Sequence, residues 1–230
     1  MTQSKNQQGL FIVGAVVIVA VVVFVGIVLV SQNALNTGSA DIDAPASRQE
    51  DGGYVLGDEN APITIVIFSN YFCGHCQNYK STVDRIIENF VNTGKARVEH
   101  RLVANTNDSL IYAQLTECAT EQKGSLIAWE AMDLLFNYST TRSLSGNDAG
   151  RELATELQLN YAQLLECTVT SDQYQIDSRL AQSAGTTGTP SVRVRFAGDE
   201  IDALQPISPQ YTSGGVDYEV LARVIEDANN

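Results

Sequence analysis

Positively charged residues are scarce in this chain. Of its 230 residues, 14 are lysine or arginine against 27 aspartates and glutamates, which gives a net charge of −13. No run of lysine and arginine forms a basic patch in the sequence. Nucleic-acid phosphates and anionic lipid headgroups would be repelled by such a surface. The composition therefore argues against a protein that binds nucleic acid.

Side chains that bind soft metal ions are also few. The chain has two methionines, Met1 and Met132, so it offers no methionine-rich surface for copper. Two of its four cysteines form a C-x-x-C motif. The other two, Cys118 and Cys167, are too far apart to be the second close pair of ligands that a zinc site on this motif requires. We therefore expect no metal and no organic cofactor.

One long segment near the N-terminus lacks charge altogether. Residues 10–30 carry no charged or strongly polar side chain. A helix of this length, rising about 1.5 Å per residue, spans the roughly 30 Å hydrocarbon core of a membrane. We expect a single transmembrane anchor over residues 10–30, preceded by a short tail at residues 1–9. A cleaved signal peptide is the alternative, although its apolar core usually has only about 7–15 residues.

The charges that flank the apolar run predict its orientation. Lys5 precedes the run, whereas the first positive residue after it is Arg48. The positive-inside tendency places the tail in the cytoplasm and the C-terminal domain outside the cytoplasm, where disulfides persist. Residues 31–52 are rich in small and polar residues without apolar periodicity, which predicts a flexible tether.

From residue 53 onwards the pattern is that of a folded α/β domain. Residues 63–68 form a short, β-branched apolar run typical of a buried strand, and residues 79–90 repeat apolar side chains at helical spacing. A second strand is predicted at 96–103, parallel to the first. Further helices are predicted at about 107–123, 125–136, 147–157, 160–168 and 172–184, followed by strands at 191–196 and near 200–206 and a helix at 216–228. This order predicts one mixed sheet covered by helices, with a helical insertion over about 106–185.

The motif Cys73-Gly74-His75-Cys76 stands where the first strand gives way to the first helix. A sulfur at a helix start meets unpaired backbone N–H groups and the positive end of the helix dipole, and both favour the thiolate. Cys73 precedes the first turn and is therefore the predicted nucleophile. Cys76, one turn further on, is the predicted resolving thiol, which attacks a mixed disulfide formed on Cys73.

The two residues between the cysteines tune this chemistry. A protonated His75 would add positive charge near Cys73, stabilise its thiolate and make the disulfide more oxidising. Gly74 would let a partner backbone approach closely. Two alternatives stay open: His75 as an ordinary surface residue, and a purely structural bond between the cysteines, although so small a loop removes little unfolded-state entropy.

Several segments together resemble the DsbA-like thiol:disulfide oxidoreductases of the thioredoxin superfamily. They are residues 55–62 before the first strand, the C-x-x-C motif after it, and Gly188-Thr189-Pro190 before a later strand. Residues 117–122 and Trp129 resemble the inserted helical domain of that family. The resemblance covers about residues 54–228 and implies a thioredoxin-like mixed sheet with an inserted helical subdomain.

The resemblance also implies roles for individual residues. Pro190 matches the family's cis-proline, so Thr189 and Pro190 are expected beside the active cysteines, where the Thr189 backbone would pair with an extended substrate segment. Local sequence alone allows an ordinary turn proline at this position. Relatives often carry acidic residues where this chain has Ile67 and Asn70, which puts in doubt a carboxylate relay that moves protons to and from the resolving thiol.

Cys118 and Cys167 lie in patterns similar to relatives that carry an extra cysteine pair. Our hypothesis is a structural disulfide between two helices. In the chain-entropy model, closing a loop of about 50 residues stabilises a protein by roughly 3–4 kcal/mol. Two buried free thiols and a second redox pair are the alternatives.

These observations predict a membrane-tethered thiol–disulfide oxidoreductase that acts on reduced or misoxidised exported proteins through a mixed disulfide on Cys73. The resemblance implies that a quinone-linked membrane oxidase regenerates the disulfide. The Gly-His interior of the motif also occurs in protein disulfide isomerases, so a reductase or isomerase of the same fold is an alternative. A non-catalytic thioredoxin-like module that binds copper or a client protein is another.

Overall fold

The computed structural model describes residues 40–230. The predicted tail, the anchor over residues 10–30 and the first part of the tether lie outside the described residues. Over residues 40–230, none of the helices combines the length and the apolar character needed to cross a bilayer.

A mixed sheet of six strands forms the centre of the fold, in the spatial order β1-β2-β4-β3-β5-β6. The strands are β1 (Ala46–Arg48), β2 (Tyr54–Leu56), β3 (Ile63–Ser69), β4 (Arg97–Leu102), β5 (Ser191–Phe196) and β6 (Gln205–Pro206). The central pair β3 and β4 is parallel, and the other neighbouring strands are antiparallel. Strand β3 is buried at every position, which is why its sequence is almost continuously apolar instead of alternating.

Seven α-helices follow or cover this sheet within the described residues: α1 (Gly74–Ile86), α2 (Asn107–Lys123), α3 (Ser125–Asn137), α4 (Gly146–Glu156), α5 (Tyr161–Thr168), α6 (Gln173–Ser183) and α7 (Tyr218–Ala228). A π-helical turn extends α1 over Ile87–Val91, and another extends α3 over Tyr138–Arg142. Helices α2 to α6 all lie between β4 and β5 in the chain. The predicted mixed sheet with an inserted helical block is therefore confirmed.

The C-terminal part of the predicted tether differs from the structure. Residues 31–52 were expected to stay outside the domain, but β1 at Ala46–Arg48 pairs with β2, and β2 pairs with β4. The Arg48 guanidinium also contacts the Glu117 carboxylate on α2 at 2.8 Å. Strands of three residues are too short to show an alternating pattern, so pairing and a long-range ion pair, not local sequence, bring this segment into the sheet.

A buried ionic network joins the sheet to the helical insertion. The Arg101 guanidinium on β4 lies fully buried and contacts the carboxylates of Asp51 at 2.7 Å, Glu99 at 2.6 Å and Asp177 of α6 at 3.1 Å. Arg195 of β5 pairs with the same Glu99. Because each buried charge has an opposite partner, the loss of one partner would leave an uncompensated charge in the interior.

A disulfide joins two helices of the insertion. Cys118 of α2 and Cys167 of α5 are bonded, with their Cα atoms 5.7 Å apart. Cys118 is buried, and Cys167 is partly exposed. The bond therefore fixes α5 against the helix that packs on β1 through Glu117.

Candidate active site

The two remaining cysteines stand at the start of α1, directly beyond β3. Cys73 is the N-terminal capping residue, with extended backbone angles of −91° and 112°. A turn connects it to the strand, because the Cys73 N–H donates to the Asn70 carbonyl at 3.1 Å. The Asn70 side chain closes the same turn by accepting the Phe72 N–H at 2.8 Å. This geometry places the Cys73 sulfur at the open N-terminal end of the helix.

The Cys73 sulfur is partly exposed and more acidic than an ordinary cysteine. Burial alone would raise the pKa of Cys73, but hydrogen bonds lower it by more. The largest of these contributions comes from the Thr189 side chain. The backbone N–H groups of Cys76 and His75, together with the Cys76 thiol, add to the effect, and the net pKa of Cys73 is lowered. A sulfur with a lowered pKa is ionised more readily than an ordinary cysteine and is a better leaving group.

The Cys76 sulfur has the opposite properties. Cys76 is only 3% exposed, and burial raises its pKa to about 12, an effect that the Asn70 backbone hydrogen bond reduces only in part. Both cysteines carry free thiols in this structure. At neutral pH the pair therefore consists of one accessible, acidic sulfur and one buried, protonated sulfur.

The segment that directly precedes β5 also contacts the active-site cysteines. The peptide bond between Thr189 and Pro190 is cis, and the Thr189 carbonyl oxygen accepts a hydrogen bond from the Cys73 thiol at 3.1 Å. The carbonyl contact favours the thiol, whereas the Thr189 hydroxyl favours the thiolate. The structure thus brings together Cys73, Cys76, Thr189 and Pro190.

His75 and Gly74 occupy the exposed surface of the first helical turn. His75 acts on Cys73 through its backbone N–H, and its side chain faces an open groove. A Cβ added to Gly74 would meet nothing within 4 Å, so the fold itself does not require glycine there. Any requirement for Gly74 comes from what approaches the helix from outside.

The groove beside Cys73 was not visible in the sequence. It has a volume of about 620 Å³ and runs between α1 and the segment 214–219. Gly215 permits this arrangement, because a Cβ there would lie 2.7 Å from the Tyr79 ring. The Tyr79 hydroxyl in turn donates to the Val216 carbonyl at 2.9 Å. The adjacent glycines at 214 and 215 were the only local signal of this close approach.

On another flank of Cys73, an aromatic side chain is exposed. Phe72 is 37% exposed, and its ring meets the Tyr112 ring edge-on with centroids 4.8 Å apart. Cys73 is thus bordered by a polar groove and by an apolar side chain that is held in place by packing.

Comparison with known proteins identifies the fold. A family model described as thioredoxin matches residues 49–205. No curated protein matches the chain. Among solved structures, α-DsbA1 of Wolbachia pipientis is 19% identical with a TM-score of 0.64, covering 79% of this chain and 92% of that one. Oxidised BdbD of Bacillus subtilis is 21% identical with a TM-score of 0.63, covering 81% and 98%.

A third solved structure is a thioredoxin-like oxidoreductase from Silicibacter pomeroyi. It is 24% identical with a TM-score of 0.58 and covers 79% of this chain and 94% of that one. At these identities the likeness establishes the fold, and the predicted thioredoxin-like mixed sheet with inserted helices is confirmed.

Proposed function

The chain belongs to the thioredoxin family, and on that premise we propose that it is a thiol–disulfide oxidoreductase that works through Cys73 and Cys76. The observation that carries this proposal is the contrast between the two sulfurs. The pKa of Cys73 is lowered, whereas the pKa of buried Cys76 is raised to about 12. A redox pair needs this asymmetry, because one sulfur must be exposed and reactive toward the substrate while the other stays buried and protonated.

Disulfide transfer to a substrate would proceed in two exchanges. A substrate thiolate attacks the Cys73 sulfur, the bond between Cys73 and Cys76 breaks, and a mixed disulfide forms on Cys73. A second substrate thiolate then attacks the substrate sulfur of that bond, and Cys73 leaves as a thiolate. The substrate gains a disulfide, and the cysteine pair takes up the two electrons. The low pKa of Cys73 favours this direction, because it stabilises the leaving group of the second exchange.

We propose that an extended substrate segment binds next to the cis bond. The Thr189 carbonyl lies 3.1 Å from the Cys73 sulfur, and the groove lined by His75, Thr189 and Pro190 opens beside it. A backbone that runs along this edge would pair with Thr189 as an added strand does. The exposed ring of Phe72 offers an apolar contact close to the same sulfur.

We place this activity outside the cytoplasm. The uncharged run at residues 10–30 and the position of Lys5 before it support an anchored, exported domain. One similar solved structure, a periplasmic thioredoxin-like protein from Salmonella enterica, is 16% identical with a TM-score of 0.55 and covers 78% of this chain and 91% of that one. The substrates would be reduced or misoxidised exported proteins, and a quinone-linked membrane oxidase would restore the disulfide.

Turnover of a reduced, unfolded disulfide protein by the purified full-length chain, with oxidised glutathione supplied as the terminal oxidant, tests the proposal. We expect the wild-type protein to form disulfides, the C73S variant to be inactive, and the C76S variant to accumulate a mixed disulfide on Cys73. Equal activity of wild type and C73S would refute the assignment. Stoichiometric copper binding without turnover would favour the binding module instead.

The reduction potential separates the remaining alternatives. A potential near about −120 mV indicates an oxidant, and one near about −270 mV indicates a reductant. The lowered pKa of Cys73 stabilises the reduced pair and therefore predicts the oxidising end of this range.

A further inference from the structure

A buried arginine lies in the strand that directly follows the cis bond. Arg193 belongs to β5 and is only 2% exposed. Side chains along a strand alternate between its two faces, so Arg193 and Arg195 share one face, while Val192 and Val194 pack into the main core on the other. Arg193 therefore lies on the face of the sheet that α6 covers.

The hydrogen bonds of the Arg193 guanidinium all go to backbone carbonyls. Its Nε donates to Ala184 at 3.1 Å, its Nη1 to Val192 at 2.9 Å and its Nη2 to Thr212 at 2.8 Å. Within residues 40–230 it forms no ion pair with a carboxylate. Burying a charge is costly unless hydrogen bonds compensate it, so these three carbonyls are the groups that stabilise the cation.

The first carbonyl lies where the inserted helices end. Ala184 is the C-terminal capping residue of α6, and it begins the loop 184–190 that carries Thr189 and Pro190. Carbonyls at a helix C-terminus lack partners within the helix and form the negative end of its dipole, so a cation is favourable there. The Arg193 side chain therefore joins the start of this loop to the strand that follows its end.

Other hydrogen bonds hold each end of the loop separately. The Thr186 N–H donates to the Ala181 carbonyl of α6 at 3.0 Å. The Ser191 hydroxyl donates to the Gly188 carbonyl at 2.7 Å. Much of the loop between these contacts is exposed. Arg193 differs from them because it connects the two ends to each other.

The third carbonyl belongs to the chain that leads into the groove beside Cys73. Thr212 lies two residues before Gly214, which pairs with Ser191 at an isolated bridge. The segment 214–219 lines that groove. The bond from Arg193 to Thr212 therefore attaches the same segment to β5.

We propose that Arg193 is a positioning residue of the redox site: its guanidinium joins the two ends of the loop 184–190 and the segment 214–219 to one point of β5, and so holds Thr189 against the Cys73 sulfur. The inference rests on the oxidoreductase function proposed above and deepens it. Arginine suits this role because its planar fork presents donors in several fixed directions, whereas lysine has a single nitrogen.

Titration of Cys73 in the reduced full-length protein, followed by its thiolate absorbance, tests the proposal. R193M removes the three donors and keeps an unbranched side chain in their place. The loop then loses the connection between its ends, and the Thr189 hydroxyl is no longer held at the sulfur. We expect the pKa of Cys73 to rise by most of the amount that T189V, which removes the hydroxyl itself, produces.

A double variant separates position from charge. If Arg193 acts through Thr189, the T189V/R193M protein should titrate as T189V alone does, because the effects of coupled residues do not add. If the loss of the positive charge itself raised the pKa of Cys73, the two shifts would add.

A matched arginine on the same strand provides the control. Arg195 is also buried on this face of β5, but it pairs with Glu99 and with the Ile201 carbonyl, neither of which belongs to the loop or the groove. R195M also removes a buried cation, and we expect its Cys73 to titrate as in the wild type.

The groove supplies a second measurement. R193M should raise the KM for a reduced, unfolded protein more than T189V does, because only R193M also releases the segment 214–219 from β5. An equal KM in R193M and T189V would show that the bond to Thr212 does not position the groove.

Each result decides the proposal. A wild-type titration of Cys73 in folded R193M, or additive shifts in the double variant, would overturn it while the oxidoreductase function stands. Circular dichroism checks the fold, and if R193M does not fold, R193K decides: it should raise the pKa of Cys73 in the same direction, and a wild-type titration would overturn the proposal. A wild-type protein without turnover would refute the proposed function, whereas the titrations would still report whether Arg193 acts on Cys73 through Thr189.

Discussion

The Thr189 carbonyl oxygen lies 3.1 Å from the Cys73 sulfur, although the two residues are 116 positions apart in the chain. The contact exists because β5 pairs with β3, so the residues just before β5 meet those just after β3. The same Thr189 presents its hydroxyl to the sulfur and lowers the pKa of Cys73. A single residue thus places both a backbone carbonyl and a side chain that lowers the pKa next to the Cys73 sulfur.

Replacing Thr189 by valine should raise the pKa of Cys73. The T189V variant keeps the shape and the backbone of the residue but loses the side-chain hydroxyl that lowers the pKa of Cys73. The thiolate absorbance near 240 nm, followed against pH, measures the change. T187V, at an exposed position of the same loop, is the control and should titrate as the wild type does. An unchanged titration in T189V would show that the hydroxyl does not contribute.

The reduced protein should gain stability relative to the oxidised protein as pH rises. In the folded reduced state the pKa of Cys73 is lowered, whereas in the unfolded chain it is about 8.5. Between these two values the unfolded state binds one proton more, so the free energy of unfolding increases with pH and falls again as pH drops through the folded pKa. Urea unfolding of both redox forms at several pH values tests this. The expectation fails if the difference between the two forms does not depend on pH.

Removing both cysteines of the helical insertion should cost stability without loss of activity. The bond between Cys118 and Cys167 closes a loop with a sequence separation of 49. The chain-entropy model predicts that the C118S/C167S variant loses about 3–4 kcal/mol of unfolding free energy. Disulfide formation in a reduced substrate, measured below the unfolding temperature, should remain as in the wild type. Loss of turnover in a folded double variant would instead indicate a second redox pair.

The buried ionic network should be far more important for stability than a surface ion pair. R101M leaves Glu99 and Asp177 as buried carboxylates without their central cation, so we expect a loss of about 3–5 kcal/mol. R85M is the matched control. Arg85 contacts Glu219 at 3.7 Å with side chains 52% and 74% exposed, so its loss should cost at most about 1 kcal/mol. Comparable losses in both variants would contradict this account of the network.

The sequence predicted the long elements and the redox motif because their signals are local. Strand β3, the helix after it and the inserted helices all show periodicity over many residues, and the C-x-x-C motif is contiguous. Strands β1 and β2 have three residues each, too few for a pattern. Their place in the sheet depends on pairing with β4, which no local feature encodes.

The groove could not be predicted from the sequence for a different reason. Its segment 214–219 meets α1 through Tyr79, and these two parts lie far apart in the chain.

Separate titration of the two active-site sulfurs tests the central claim most directly. Carbon-13 labels on the cysteine β-carbons of the reduced full-length protein report each ionisation by NMR. We expect Cys73 to ionise below the ordinary value of about 8.5 and Cys76 only near a pH of about 12. If Cys73 ionises like a free cysteine, or if Cys76 ionises first, the asymmetry that carries the proposed function does not exist.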